Sequence, residues 1–218
     1  STTLLFPRFH QWELVTDLLS TVRAEGSGNR YLVQHSAGSG KTNSIAWLAH
    51  GLSNLHNAAD EKVFDTVIVV TDRTVLDDQL QKAIKQIEGI DGTVATINAD
   101  EVRKAGEGSK SALLAQTLLG GRHIVIVTMQ TFPHALDAIQ KTEGLSSRRF
   151  AIIADEAHSS QTGRTSQQLR NVLTAEEQAD VADGGEIDVE AMLAAEMSSR
   201  ADSPNLSFFA FTASPKTK

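Results

Sequence analysis

Two short stretches hold residues whose types and spacing could do chemistry. In QHSAGSGKT, residues 34–42, Ala37, Gly38, Ser39 and Gly40 lead into Lys41 and Thr42. Small residues before a helix let backbone N–H groups converge on one spot, and the helix dipole makes that spot favourable for anions. Gly38 and Gly40 lack a Cβ, so phosphate oxygens can approach the main chain. Lys41 supplies a mobile cation for phosphates and Thr42 a hydroxyl for Mg²⁺. The glycine usual five residues before Gly40 is absent, and His35 stands there. The second stretch, Asp155-Glu156-Ala157-His158, follows the apolar run Phe150-Ala151-Ile152-Ile153-Ala154. Two adjacent acids at a strand end repel each other and do little for folding. Beside a phosphate loop, however, Asp155 can hold a metal, and Glu156, one residue further out, can polarise a water for in-line attack. Together the two stretches imply an ATP–magnesium site.

Such a site needs elements to position it. The spacing predicts a helix over 9–25 with Trp12, Val15, Leu18, Leu19 and Val22 on its inner face. A short strand, Tyr31-Leu32-Val33, precedes the loop, and Ile45, Leu48, Ala49, Leu52 and Leu55 line a helix starting near Gly40. The continuous β-branched run Thr66–Val70 reads as a strand buried on both faces. Asp72 can cap a further helix whose inner face is Leu76, Leu80, Ala83, Ile84 and Ile87. More strands are expected over 93–97, 124–128, 150–154 and 206–211, and helices over 109–119 and 131–140. This alternation argues for one α/β domain: a parallel sheet with helices on both faces, in three layers.

Composition narrows the class. The chain has 218 residues, 40% hydrophobic and 22% charged, and no cysteine, which excludes disulfides and thiolate metal sites and fits a reducing cytoplasm. Seven histidines show no ligand-like pairing. No apolar run approaches the roughly 18 residues that span a bilayer, so no membrane role is expected. The net charge of −7 has the wrong sign for binding nucleic acid through bulk charge, so any such contact needs a local groove or additional protein. Within 174–203, acids from Glu176 to Asp202 face one base, Arg200. That segment reads as a solvated insertion with a helix around 189–197, or as a partner-binding element. Lys82, Lys85, Arg148 and Arg149 read as a solvated face.

The two stretches together resemble the superfamily 2 helicases and translocases, whose phosphate loop commonly lacks its first glycine. Other motifs of that family stand in order. Phe9-His10-Gln11 resembles the glutamine segment that reads adenine. Val70-Thr71-Asp72-Arg73 and Val127-Thr128-Met129-Gln130-Thr131 resemble the segments that touch the nucleic-acid backbone. Phe211-Thr212-Ala213-Ser214-Pro215 resembles the third motif, which links hydrolysis to movement. Within the superfamily, the phrases QHSAGSGKT, VVTDRTVLDDQL, IVTMQTF, ADEAHSSQTG and FFAFTASPK are similar to the restriction (motor) subunit of type I restriction–modification enzymes. Ser159, Ala213 and Ser214 depart from that pattern where arginine, glycine and threonine are common.

The resemblance implies a P-loop NTPase (RecA-like) lobe over 1–218, with the glutamine motif on an N-terminal helix within 1–28. The second motor lobe and the nuclease domain would lie outside this chain. ATP and Mg²⁺ are the implied cofactors, with Lys41 on phosphate, Thr42 and Asp155 on the metal, Glu156 as base and Gln11 on adenine. His158 would report the γ-phosphate state towards Thr212 and Ser214, or serve as a structural histidine. Arg73, Thr128 and Gln130 would contact DNA, although Thr128 and Gln130 could equally cap the following helix. The implied partners are duplex DNA and the specificity and modification (methyltransferase) subunits. A different superfamily 2 helicase or remodeller, acting on DNA or RNA, and a lobe that binds nucleotide without turnover remain the alternatives.

Overall fold

Thr66–Thr71 forms a strand, β2, that is buried along its whole length, as a β-branched run covered on both faces should be. In the computed structural model, which describes residues 7–35, 40–71, 80–84, 94–97, 110–128, 131–155 and 203–213, it lies inside a six-stranded sheet. The other strands are β1 (Arg30–His35), β3 (Val94–Ile97), β4 (Ile124–Thr128), β5 (Phe150–Asp155) and β6 (Leu206–Ala213). Their order is β1-β6-β5-β2-β4-β3, and every neighbouring pair is parallel. The expected α/β class and parallel sheet are therefore present.

Helices fall on the two faces as right-handed crossovers require. The steps β1 to β2 and β2 to β3 run one way across the sheet. Their connections contain α2 (Lys41–Ser53) and the helical residues 80–84. Both pack on one face, with Ile45, Leu48, Leu80 and Ile84 against Val67, Val69 and Ile153. The steps β3 to β4 and β4 to β5 run back, so α3 (Lys110–Leu119) and α4 (Phe132–Lys141) cover the other face through Leu114, Leu118, Phe132 and Ile139. Fully burying side chains of this size contributes about 1.5–3 kcal/mol each.

The first helix, α1 (Phe9–Glu25), packs on α2, where Gly51 lets Leu19 come close. Its inner line differs from the one expected. Val15 and Val22 are buried, but Trp12 is 59% exposed and the polar Gln11 takes the inward place. Arg148 also departs from expectation. Its guanidinium donates to the carbonyls of Leu118 (2.8 Å) and Leu119 (3.4 Å), closing the C-terminus of α3. The expected cap Asp72, most of the helix after it, and 174–202 of the acidic segment lie outside the described residues.

Candidate functional site

Side chains alternate along β5, so Ala151 and Ile153, which pack on the α2 side, are followed on the same face by Asp155. Asp155 is the last residue of the strand, level with Phe211 of β6 and, beyond it, Val33 of β1. In an all-parallel sheet the carboxyl ends share one edge, which is where such sheets bind ligands. Helix α2 begins at that edge. Its N-cap is Gly40, in the left-handed region at φ 84° and ψ 39°, and its first residue is Lys41. Lys41 Nζ lies 2.7 Å from Asp155 Oδ1, with the two side chains 25% and 14% exposed. Apart from the ammonium, that buried oxygen has no hydrogen-bond partner among the described residues.

A second contact reaches the same corner. Gln11 is 3% exposed. Its Oε1 accepts from the Arg8 backbone N–H at 2.9 Å, and its Nε2 donates to the Gly40 carbonyl at 3.0 Å. The same carbonyl accepts the Asn43 and Ser44 N–H groups that open α2. A Cβ at Gly40 would fall 2.5 Å from Gln11 Nε2, so glycine is needed for space as well as for its positive φ.

The structure thus brings Gln11, Gly40, Lys41 and Asp155 to one place, with half-buried Thr42 at the second position of α2. Thr128 ends β4. It is buried, and its hydroxyl is 2.9 Å from that of Thr131, the N-cap of α4. Thr131 makes no side-chain cap bond, so the pair joins the strand end to the helix start through hydroxyls and backbone. Thr212 lies in β6, level with Gln34 of β1. Ala37, Gly38, Ser39, Arg73, Gln130, Glu156, His158 and Ser214 lie outside the described residues. The Gln11–Gly40 bond is the feature that sequence reasoning missed, because nothing in the sequence between two residues 29 positions apart signals it.

The described groups fit a metal–nucleotide complex. The positive end of α2 and the Lys41 ammonium suit phosphate, and the Asp155 oxygen, engaged only by a movable side chain, suits a hard cation.

Among solved structures, the chain is similar to one described as a nuclease-deletion mutant of the Type ISP restriction-modification enzyme LlaGI in complex with a DNA substrate mimic. The TM-score is 0.55 at 16% identity, over 99% of this chain and 18% of that one, a likeness of fold. No curated protein matches the chain. The family model for the SWI2/SNF2 ATPase matches residues 10–181, an interval that holds Gln11, Gly40, Lys41 and Asp155 alike. With most of its length under that model and a parallel sheet that joins a helix-start lysine to a strand-end aspartate, the chain belongs to the SWI2/SNF2 ATPase family.

Proposed function

We propose that this chain is the first, nucleotide-binding lobe of a DNA-translocating ATPase, within a motor subunit of the type I restriction kind. The carrying observation is the 2.7 Å approach of Lys41 to Asp155 at the carboxyl edge of the sheet. The lobe-level likeness to a restriction–modification enzyme held on a DNA mimic supports the restriction setting.

In this reading residues 37–42 and the first turn of α2 bind the phosphates of ATP, with Lys41 turning from Asp155 to the β- and γ-oxygens. Thr42 and Asp155 hold Mg²⁺, which when bound neutralises phosphate charge. Glu156 takes the proton of the attacking water. His158, Thr212 and Ser214 pass the state of the site to the rest of the motor. Arg73 and Gln130 contact the DNA backbone, and Thr128 fixes the start of α4. A second motor lobe completes the site across a cleft, a nuclease domain cuts, and specificity and modification subunits choose the DNA. The whole acts in the cytoplasm. No helix among the described residues is long and apolar enough to cross a membrane.

The test is ATP hydrolysis by the full-length protein with duplex DNA, single-stranded DNA or RNA, paired with displacement of a third strand from a triplex. Stimulation by duplex DNA and strand displacement, both abolished by Lys41→Met, are expected. Stimulation by RNA alone would move the assignment to an RNA motor. Binding of Mg-ATP without turnover under any of the three would leave a nucleotide-binding lobe.

A further inference from the structure

His50 stands in the last turn of α2, nine residues after Lys41, which at 1.5 Å per residue is about 14 Å along the helix axis. Its half-buried Nε2 lies 2.8 Å from the carbonyl oxygen of Ile84, within the helical residues 80–84. A carbonyl only accepts, so this nitrogen carries the hydrogen and donates. Around the bond the packing is apolar, with Ile45, Leu48, Leu52, Leu80 and Ile84 in one core cluster. Apolar burial follows area and has no direction, so it holds two helices together without fixing how far one slides along the other. A hydrogen bond weakens steeply off its distance and line, so the His50 bond sets that register. The end of α2 that carries the imidazole is itself closed. The His50 carbonyl accepts from Ser53 Oγ at 2.9 Å and from Asn54 Nδ2 at 3.1 Å. One helix thus runs from the Lys41 corner to a directional contact with a different element.

We propose that His50 is a positioning residue that couples nucleotide binding to DNA binding, by tying the far end of α2 to the element that follows the Arg73 stretch. This rests on the reading of the lobe as an ATP-driven DNA motor. Residue 80 comes seven positions after Arg73, the DNA contact of that reading. When phosphates draw Lys41 away from Asp155, the shift passes along α2 as a rigid rod and through the imidazole to the Ile84 carbonyl. Coupling of this kind is reciprocal, so DNA held at the Arg73 stretch acts back on the nucleotide with the same factor. Three substitutions separate the hydrogen bond from the packing. His50→Gln puts an amide N–H about where the imidazole Nε2 stands and keeps the donor. His50→Met keeps the length and removes the donor, and His50→Asn keeps an amide that stops short of the carbonyl.

The experiment uses the full-length protein, a labelled DNA duplex and a non-hydrolysable ATP analogue with Mg²⁺, below the melting temperature of each variant. It reads the factor by which saturating analogue changes duplex affinity, and the factor by which saturating duplex changes analogue affinity. In the unmodified protein the two should agree at about fivefold or more, the lower end of allosteric couplings. In His50→Met both should fall to within about twofold of one, while analogue affinity without DNA stays within about twofold of the unmodified value. His50→Gln should restore the coupling. His50→Asn should behave as His50→Met and takes its place if the methionine variant does not fold. Coupling unchanged in His50→Met and His50→Asn, whatever their melting temperatures, would overturn the proposal and leave His50 a packing residue. A His50→Gln variant that folds but restores nothing would overturn it too, since the donor would then be irrelevant. So would a loss of analogue affinity without DNA, which would make His50 a support of the phosphate site. An unmodified protein whose two affinities are independent would instead refute the motor reading on which the coupling rests.

Discussion

Lys41 and Asp155 stand 114 positions apart in the chain yet meet at 2.7 Å, with the ammonium covering a buried carboxylate oxygen that has no other hydrogen-bond partner among the described residues. In the proposed site a divalent cation would use the same oxygen, so lysine and metal would compete for it. Two unit charges about 4 Å apart attract by about 4 kcal/mol at an effective dielectric constant near 20, and even a third of that is about tenfold in affinity. Lys41→Met is therefore expected to raise the affinity for Mn²⁺ alone by about tenfold while abolishing triphosphate binding. Electron paramagnetic resonance of free Mn²⁺ reads the first effect, and calorimetry with Mg-ATP the second. An unchanged Mn²⁺ affinity would show that the lysine does not screen the carboxylate.

Gly40 is held by two demands at once. Its φ of 84° costs an L-residue about 1–2 kcal/mol, and its missing Cβ leaves room for Gln11 Nε2. Gly40→Ala should lower stability by about 2 kcal/mol and weaken Mg-ATP binding at least tenfold. In contact, the two sites should not behave additively. Adding Gln11→Ala removes the collision but leaves the backbone strain, so the double variant should unfold at less cost than the sum of the single changes. Urea midpoints for the four proteins decide it, and strict additivity would mean that the two residues do not press on each other.

The parallel sheet was legible because the runs at 66–70 and 124–128 are apolar without alternation, and because apolar helical spacing falls between the strands. Asp155 was legible as a carboxylate ending such a run, and Lys41 as a lysine between small residues and a helix. What escaped were choices made by tertiary packing. Periodicity put Trp12 on the inner face of α1, since it counts apolar residues and cannot tell that a glutamine with two hydrogen-bond partners can take that line instead. Arg148 and Arg149 read alike as surface charge. Only the fold brings the α3 carbonyls within reach of Arg148, and only the fold lets the Arg149 backbone N–H donate to Asp65 Oδ2 at 2.8 Å.

Arg148 also separates stability from function. Helix α3 runs back against the strands, so its closed C-terminus lies at the amino edge of the sheet, away from Lys41. Arg148→Ala leaves the Leu118 and Leu119 carbonyls without their donor, a loss of about 1–2 kcal/mol. Denaturant midpoints should fall accordingly while Mg-ATP affinity stays within twofold. A fall in affinity beyond that would mean the two edges of the sheet are coupled.

Tyr31 gives the fold a dependence on alkaline pH. Its ring stacks on Phe209 at a centroid distance of 4.9 Å. Its phenol is held well above the ordinary tyrosine range, first by burial, then by its hydrogen bond to Glu25 and by that carboxylate's charge. Tyr31 Oη donates to Glu25 Oε2 at 2.8 Å, which only the neutral phenol can do. The folded state therefore keeps a proton that the unfolded chain releases near the usual value of about 10. The sign follows: this contribution is complete below pH about 10 and is lost progressively as pH rises above it. Lysines titrate over the same window, so the comparison is with Tyr31→Phe, which has no phenol to ionise. The stability of the unmodified protein minus that of the variant, from urea unfolding, should be constant from pH 8 to about 9.5 and decline at higher pH. A difference that stays level at high pH would mean that the folded phenol ionises as readily as the unfolded one.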